Sequence, residues 1–147
     1  MDAGDGFDTG ALLLRPYSGN DEKKVIDLWA RCGLLRPWND PAKDIWRKRQ
    51  VNPEWFIMAE LNQKIVGTIM IGYEGHRGWI NYLAVDPTVR RKGIGRSLMK
   101  RAEEVLQAVG CPKVNLQVRA GNDVAAEFYS SLGYAKDEVI SFGKRLR

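Results

Sequence analysis

Residues 83–95 read LAVDPTVRRKGIG, and this stretch carries the clearest indication of the fold. The β-branched and aromatic run Trp79–Val85 is typical of a strand, which the pair Asp86-Pro87 interrupts. A basic turn with two glycines follows and leads into apolar residues at helical spacing. A turn between a strand and a helix leaves backbone N–H groups without partners at the positive end of the helix dipole. The stretch therefore predicts an anion-binding site at the start of a helix.

The residue types in this turn favour phosphate as the anion. Gly93 and Gly95 lack a Cβ atom, so the backbone can close around phosphate oxygens. The dinucleotide fingerprint requires a third glycine where Leu98 stands, and the P-loop requires a Gly-Lys-Ser/Thr ending that is missing here. A helix N-terminus with a solvated basic face is the alternative interpretation. Positive charge in the turn comes from four side chains: Arg90, Arg91, Lys92 and Arg96.

Length and composition indicate one folded domain. The chain has 147 residues, of which 44% are hydrophobic and 28% charged, so it can bury a core without disulfides or metals. Met1–Gly10 is rich in Gly and Asp and is predicted to be a flexible lead. Residues 11–147 are accordingly predicted to form a single domain.

Neither a membrane span nor a metal site is predicted. No run approaches the ~20 consecutive apolar residues of a span, and the N-terminus is acidic, so we expect a cytoplasmic protein. Cys32 and Cys111 fit neither a disulfide framework nor a metal-ligand spacing. The net charge of +5 favours an anionic partner, and a phosphorylated cofactor, an acidic protein and nucleic acid would all satisfy it. The densest basic cluster coincides with the glycine turn, which points to phosphate.

Turn residues divide the chain into elements in the order β-α-α-β-β-β-α-β-α-β-β, an α+β arrangement. The predicted strands are Ala11–Arg15, Trp55–Glu60, Ile65–Tyr73, Trp79–Val85, Val114–Val118, Tyr134–Asp137 and Val139–Arg145. The predicted helices begin near Ser18, at Asp40-Pro41, at Ile94 and at Asn122.

Two separated motifs resemble the GNAT superfamily of N-acetyltransferases. The first is Leu83–Pro87 followed by Arg90-x-x-Gly93-x-Gly95, and the second is Asn122 followed by Phe128-Tyr129-x-x-Leu132-Gly133-Tyr134. They occur in the order and at the separation usual in that superfamily, and the resemblance extends from about Leu12 to the C-terminus. The chain is also similar to the YpeA-like branch in four segments: Leu34–Pro41, Gly75–Gly78, Gly110–Lys113 and Gly143–Leu146.

The resemblance implies a central mixed, mostly antiparallel sheet of about seven strands with four helices, splayed between strands 4 and 5. The pantetheine arm of acetyl-coenzyme A, the acyl donor substrate, enters that gap in GNAT proteins. By this resemblance it would pair with the main chain of Leu83, Ala84 and Val85, near Asn122. The pyrophosphate would lie on the backbone amides from Arg91 to Arg96, including Ile94.

The resemblance also implies a role for Tyr129, which matches the superfamily tyrosine that protonates the departing thiolate. A phenol with an unperturbed pKa of about 10 stays protonated at neutral pH and can still donate a proton. A core aromatic residue beside Phe128 is the alternative interpretation. The implied reaction is direct attack of a primary amine on the thioester.

The residue at the position of the superfamily's usual general base, which would take the proton of the attacking amine, is not an acid in this chain. Members of the superfamily that acetylate protein N-termini often carry a glutamate on the fifth strand, where this chain has Gln117, whose amide cannot act as a base. Glu74 and His76, in the turn between the third and fourth strands, are the nearest titratable substitutes. A water molecule relayed to bulk solvent is the alternative.

The acceptor pocket is expected between the first two helices. Arg36, Trp38, Asn39 and Asp40 could bind an amine-bearing acceptor, which we expect to be a small molecule or a peptide. The alternative is a loop that folds back, with Trp38 as a plug and Asp40 as a helix cap. We expect no binding to nucleic acid, because aromatic residues are not interleaved with the basic cluster. We also expect no binding to a membrane, and a monomer or a homodimer. A non-catalytic module that binds acyl-coenzyme A is the rival function.

Overall fold

Helix and strand boundaries follow the turn residues of the sequence in residues 12–146, the part of the chain that the computed structural model describes. The predicted lead Met1–Gly10 and the predicted strand residue Ala11 lie outside these residues. The described chain falls into two compact units, the first ending at Leu116 and the second beginning at Gln117.

The first unit contains a five-stranded sheet with the order β1-β2-β3-β4-β5. Its strands are β1 (Leu12–Pro16), β2 (Phe56–Leu61), β3 (Lys64–Tyr73), β4 (Gly78–Val85) and β5 (Val114–Leu116). Its helices are α1 (Glu22–Arg31), α2 (Pro41–Lys48) and α3 (Ile94–Ala108), with short 3-10 turns at Gly19–Asp21, Pro53–Trp55 and Pro87–Val89. All strand pairs are antiparallel except β4 with β5. The predicted mixed, mostly antiparallel sheet is therefore confirmed.

Helices cover both faces of this sheet. Gly67 and Thr68 are successive residues of β3, so their side-chain positions point to opposite faces. On one face the Trp29 indole of α1 donates to the Thr68 hydroxyl at 2.9 Å. On the other face, a Cβ atom at Gly67 would lie only 3.0 Å from Leu98 Cδ1 of α3. The missing side chain of Gly67 thus allows α3 to approach the sheet closely.

An ion-pair network connects β1 to the turn before α1. The Arg15 guanidinium donates to both carboxylate oxygens of Asp21, at 2.7 and 2.9 Å, and to Glu60 at 2.5 Å. The Ser18 amide also donates to Asp21 at 2.8 Å. Burial alone would raise the pKa of Asp21, but these hydrogen bonds outweigh it and hold that pKa below its ordinary value. The ionised carboxylate is therefore part of what stabilises this corner.

The second unit contains one helix, α4 (Asp123–Ser131), and no strand within residues 117–146. The predicted strands Tyr134–Asp137 and Val139–Arg145 are absent, so the prediction of about seven strands is wrong: residues 12–146 form five. The apolar side chains of the second segment are exposed, Val139 by 77% and Phe142 by 91%. An apolar pattern forms a strand when a neighbouring edge and a buried face stabilise it, and exposed side chains gain nothing from burial.

The predicted count of four helices is confirmed within the described residues, with α1 to α4. None of these helices combines the length and the apolar character needed to cross a membrane. In the same residues, no three His, Cys, Asp or Glu side chains are placed together as a metal ion would require.

Candidate functional site

The turn before α3 has the backbone geometry of an anion site. Gly93 adopts a left-handed conformation (φ 81°), and a Cβ atom there would meet no atom within 4 Å. Glycine is therefore needed at this position for its conformation rather than for space. The first helical hydrogen bond of α3 runs from the Ser97 amide to the Gly93 carbonyl at 2.9 Å. Because that bond begins at residue 97, the amides of residues 94–96 have no acceptor within the helix.

Arg90 holds this turn to the end of β4. Its Nε atom donates to the Val85 carbonyl at 3.2 Å, and the Cys32 thiol donates to the same oxygen at 3.3 Å. Burial raises the pKa of Cys32, so its thiol stays protonated as a donor. Two of the sequence-predicted site residues, Val85 and Arg90, are thus in direct contact. Among the other predicted basic residues, Arg91 and Arg96 are exposed and Lys92 is half-buried.

The pairing of β4 with its two neighbours differs along its length. β5 pairs only with Gly78–Ile80, whereas β3 pairs along both ends of β4. Within the first unit, the edge of residues 81–85 away from β3 therefore has no strand partner. The main chain of Leu83, Ala84 and Val85 belongs to this part of β4.

A bulge interrupts β4 at Tyr82 and Leu83. Thr68 pairs with Ala84 and Met70 pairs with Asn81, so two residues of β4 stand opposite one residue of β3. The first of the two is Tyr82, in a left-handed conformation (φ 51°) that is unusual for an aromatic residue. Such a bulge bends the strand and redirects its side chains.

Side chains from three elements surround Tyr82. Its carbonyl accepts from the Thr68 hydroxyl at 2.8 Å, and its ring stacks on Trp29 with centroids 3.8 Å apart. Its hydroxyl donates to Asp44 of α2 at 2.6 Å. Neither Tyr82 nor Asp44 could be predicted from the sequence, because their contact depends on a bulge that no local residue pattern marks.

The predicted acceptor segment is held largely by its own backbone. Arg36 donates to the Gly33 and Leu35 carbonyls at 2.8 and 3.1 Å. The Asp40 carboxylate accepts from the Lys43 amide at 3.2 Å and caps α2, as the alternative interpretation expected. Trp38 is 50% exposed, so it does not act as a plug, and Asn39 is exposed as well.

Glu74 and His76 lie in the exposed turn between β3 and β4. The Glu74 carboxylate accepts from the Arg77 amide at 2.6 Å and from the His76 amide. These backbone hydrogen bonds lower the pKa of Glu74, which makes it a weaker base than an ordinary glutamate. The His76 ring Nδ1 lies 3.4 Å from the Arg77 guanidinium.

The second unit carries the remaining predicted residues. Asn122 caps α4, its side-chain oxygen accepting from the Ala125 amide at 3.1 Å. Tyr129 is half-buried between two aromatic rings, with centroids 5.1 Å from Phe128 and 6.1 Å from Tyr134. Desolvation raises the pKa of Tyr129 to about 12, so its phenol is protonated at neutral pH. The Gln117 amide donates to the Ser141 hydroxyl at 2.6 Å.

Comparison with known proteins gives a consistent result. Residues 23–134 match the family model described as the acetyltransferase (GNAT) family. An acetyltransferase of Pectobacterium atrosepticum is 48% identical over 135 residues, which cover 92% of this chain and 96% of that protein.

Solved structures resemble the fold of the chain over most of its length. One is an aminoglycoside acetyltransferase from an uncultured soil metagenomic sample, in complex with sisomicin, with a TM-score of 0.72 and 25% identity. The match covers 94% of this chain and 98% of the aminoglycoside acetyltransferase chain. The PaiA N-acetyltransferase of Thermoplasma acidophilum, in complex with coenzyme A, has a TM-score of 0.75, and the match covers 88% of this chain and 92% of the PaiA chain. Its identity is 18%, so this likeness concerns the fold alone.

Proposed function

The chain belongs to the acetyltransferase (GNAT) family, and on that premise we propose that it transfers an acetyl group from acetyl-coenzyme A to a primary amine by direct attack. The observation that carries this proposal is the start of α3, where backbone amides and basic side chains meet at a left-handed glycine. The matched residues 23–134 extend across both units, which supports one acetyltransferase domain in residues 11–147. The segments Leu34–Pro41 and Gly110–Lys113 support a place in the YpeA-like branch.

The diphosphate of the donor fits the start of α3. The amides of residues 94–96 lack helical acceptors, and an anion there also gains from the helix dipole. We assign this contact to the segment Arg90–Arg96, in which Arg91, Lys92 and Arg96 supply charge and Arg90 also braces Val85. The donor brings the acetyl group as a thioester, and the chain has to orient it.

The pantetheine arm is proposed to lie along residues 83–85 of β4. This edge has no strand partner within the first unit, and an unpaired edge can accept an extended ligand through main-chain hydrogen bonds. The Val85 carbonyl on this edge already has two donors, so the main chain of Leu83 is the freer part of the edge. Asn122 is proposed to contact the same arm through its side-chain N–H groups.

Tyr129 is proposed to protonate the departing thiolate. A raised pKa keeps its phenol protonated, as a proton donor requires. For the proton of the amine we propose His76, through a water molecule, because Glu74 is held by two backbone amides and is the weaker base. Glu74 would then shape the turn that presents His76.

The acceptor is proposed to bind at Arg36, Trp38, Asn39 and Asp40, before and at the start of α2. Trp38 is half exposed, so part of its surface is accessible to a ligand. The aminoglycoside acetyltransferase among the structural relatives is named for an amine-bearing small molecule, which supports an acceptor of that kind.

The test is an assay of thiol release with a panel of amines, combined with calorimetric titration of acetyl-coenzyme A. We expect Tyr129→Phe to slow turnover by about 10²-fold or more while it retains donor binding. Tyr134→Phe, which removes a hydroxyl from the same aromatic cluster, is the matched control and should turn over normally. Unchanged turnover in Tyr129→Phe would remove Tyr129 from the mechanism. Tight donor binding without transfer to any amine would favour the non-catalytic module.

A further inference from the structure

A carboxylate near the proposed acceptor segment is linked to the strand proposed for the donor. Asp44 lies in the first turn of α2, where its amide donates to the Asp40 carbonyl at 2.9 Å. Its Oδ2 atom accepts from the Tyr82 hydroxyl at 2.6 Å. Asp44 therefore joins the end of the acceptor segment to the bulge at Tyr82 and Leu83.

Tyr82 is fixed well enough to orient that carboxylate. Its ring stacks on the fully buried Trp29 at 3.8 Å, and its carbonyl is hydrogen-bonded to Thr68. Burial and the contact with Asp44 raise the pKa of Tyr82, so the phenol stays protonated and donates. The position of the Asp44 carboxylate is thus set by β4 as well as by its own helix.

The negative charge of Asp44 is accessible and only weakly compensated. Arg47 pairs with its Oδ1 atom at 3.0 Å, but 60% of the Arg47 side chain is exposed, and exposed ion pairs contribute little. A carboxylate has about four lone-pair positions, of which Tyr82 and Arg47 use two. The Asp44 side chain is 26% exposed, so a ligand cation can reach the rest or displace Arg47.

We propose that Asp44 binds a second positive charge on the acceptor, so that the preferred acceptors are diamines and polyamines. This rests on the proposed function, since the first amine is the one that attacks the thioester. That nitrogen has to be neutral to attack, so a fixed carboxylate is better used by an ammonium group elsewhere on the same molecule. Tyr82 acts as a positioning residue, because it holds the carboxylate and does not touch the acceptor.

The test compares wild type with Asp44→Asn on butanediamine and n-butylamine. Asparagine keeps the shape and can accept from Tyr82, but it has no charge. We expect kcat/KM for butanediamine to fall about 10- to 100-fold through KM, and that for n-butylamine to change little. Asp27→Asn removes an exposed carboxylate of α1 and is the matched control with wild-type selectivity. Equal losses for both amines would overturn the inference, as would a wild type without preference for the diamine.

Calorimetry with butanediamine on the coenzyme A complex separates this inference from the proposed function, because it needs no turnover. Binding that Asp44→Asn abolishes supports the cation site, even if the wild type releases no thiol and the proposed function fails. Binding that is equal in wild type and Asp44→Asn overturns the cation site, even if both proteins are active. Tyr82→Phe keeps the stacked ring and should show a smaller loss of diamine selectivity. If Tyr82→Phe keeps the wild-type preference for butanediamine over n-butylamine, Tyr82 is not a positioning residue.

Discussion

A single methyl group added at Gly67 should displace α3 from the sheet. Its Cβ atom would lie 3.0 Å from the Ala84 carbonyl oxygen, 3.0 Å from Leu98 Cδ1 and 3.2 Å from Ile94 Cγ2. The first of these atoms is backbone of β4, and Ile94 is the first residue of α3. The backbone oxygen can yield only if β4 shifts, and the Leu98 and Ile94 side chains must each give way by a few tenths of an ångström, so Gly67→Ala should disturb the start of α3.

The size of the effect follows from these contacts. Overpacking of a core costs about 1–3 kcal/mol. Replacing glycine also restricts the unfolded chain, which stabilises the fold by about 0.4–1 kcal/mol. The net destabilisation is at most about 2.6 kcal/mol, with a central value of about 1.3 kcal/mol, which should lower the midpoint of thermal unfolding by about 3–5 °C in a chain of this length. Affinity for coenzyme A should fall as well, because Ile94 opens the proposed phosphate site.

Gly72→Ala is the matched control, since Gly72 lies in the same strand and its Cβ atom would meet nothing within 4 Å. It should keep or gain stability, by at most about 1 kcal/mol. Thermal unfolding followed by circular dichroism measures both variants, and calorimetric titration measures coenzyme A affinity. If Gly67→Ala and Gly72→Ala unfold at the same temperature, the reasoning about close packing of α3 is wrong.

Four further substitutions address the phosphate turn and two buried contacts. Gly93 and Gly110 flank α3 with the same φ of 81°, so alanine at either position should lower the free energy of unfolding by about 1–2 kcal/mol. Only Gly93→Ala should weaken coenzyme A binding in calorimetry. Equal weakening by both would argue against the turn as the phosphate site. Because the pKa of Asp21 is lowered by folding, its stabilisation is complete above the unfolded pKa of about 3.9 and is lost as the pH falls through the folded value. The free energy of unfolding in urea should therefore be lower for Asp21→Asn than for wild type near neutral pH, and the two values should converge in acid. A difference that does not change with pH would contradict a stabilising role for the ionised Asp21 carboxylate. Thr68→Val should lower the free energy of unfolding by about 1–3 kcal/mol in the same assay, because it leaves the Trp29 indole N–H without its acceptor. A variant as stable as wild type would show that the indole has another acceptor.

Local residue patterns were sufficient to predict the central part of the fold. The strands β2, β3 and β4 lie within one residue of their predicted bounds and α3 begins at its predicted residue, because turn residues and apolar periodicity act over a few residues. The final strands were not predictable in the same way. Whether residues 134–145 form strands depends on a neighbouring edge, and the sequence of a segment does not say whether one is available.

Only part of the candidate site could likewise be predicted from the sequence. The glycine turn before α3 could be predicted, because its residue types act through their own backbone. The contact of Asp44 with Tyr82 joins residues 38 apart in the chain and depends on a bulge in β4, so no spacing rule indicates it. A weaker signal was present at Gly67, since an isolated glycine inside a strand pattern often marks a close approach of backbone.

The claim that the amides at the start of α3 bind the diphosphate is tested most directly by a nuclear magnetic resonance titration of the nitrogen-labelled protein with coenzyme A. We predict that the largest amide shifts occur at Ile94, Gly95 and Arg96, and that pantetheine, which lacks the diphosphate, leaves them unchanged. Coenzyme A binding that leaves these three amide signals in place would contradict the assignment.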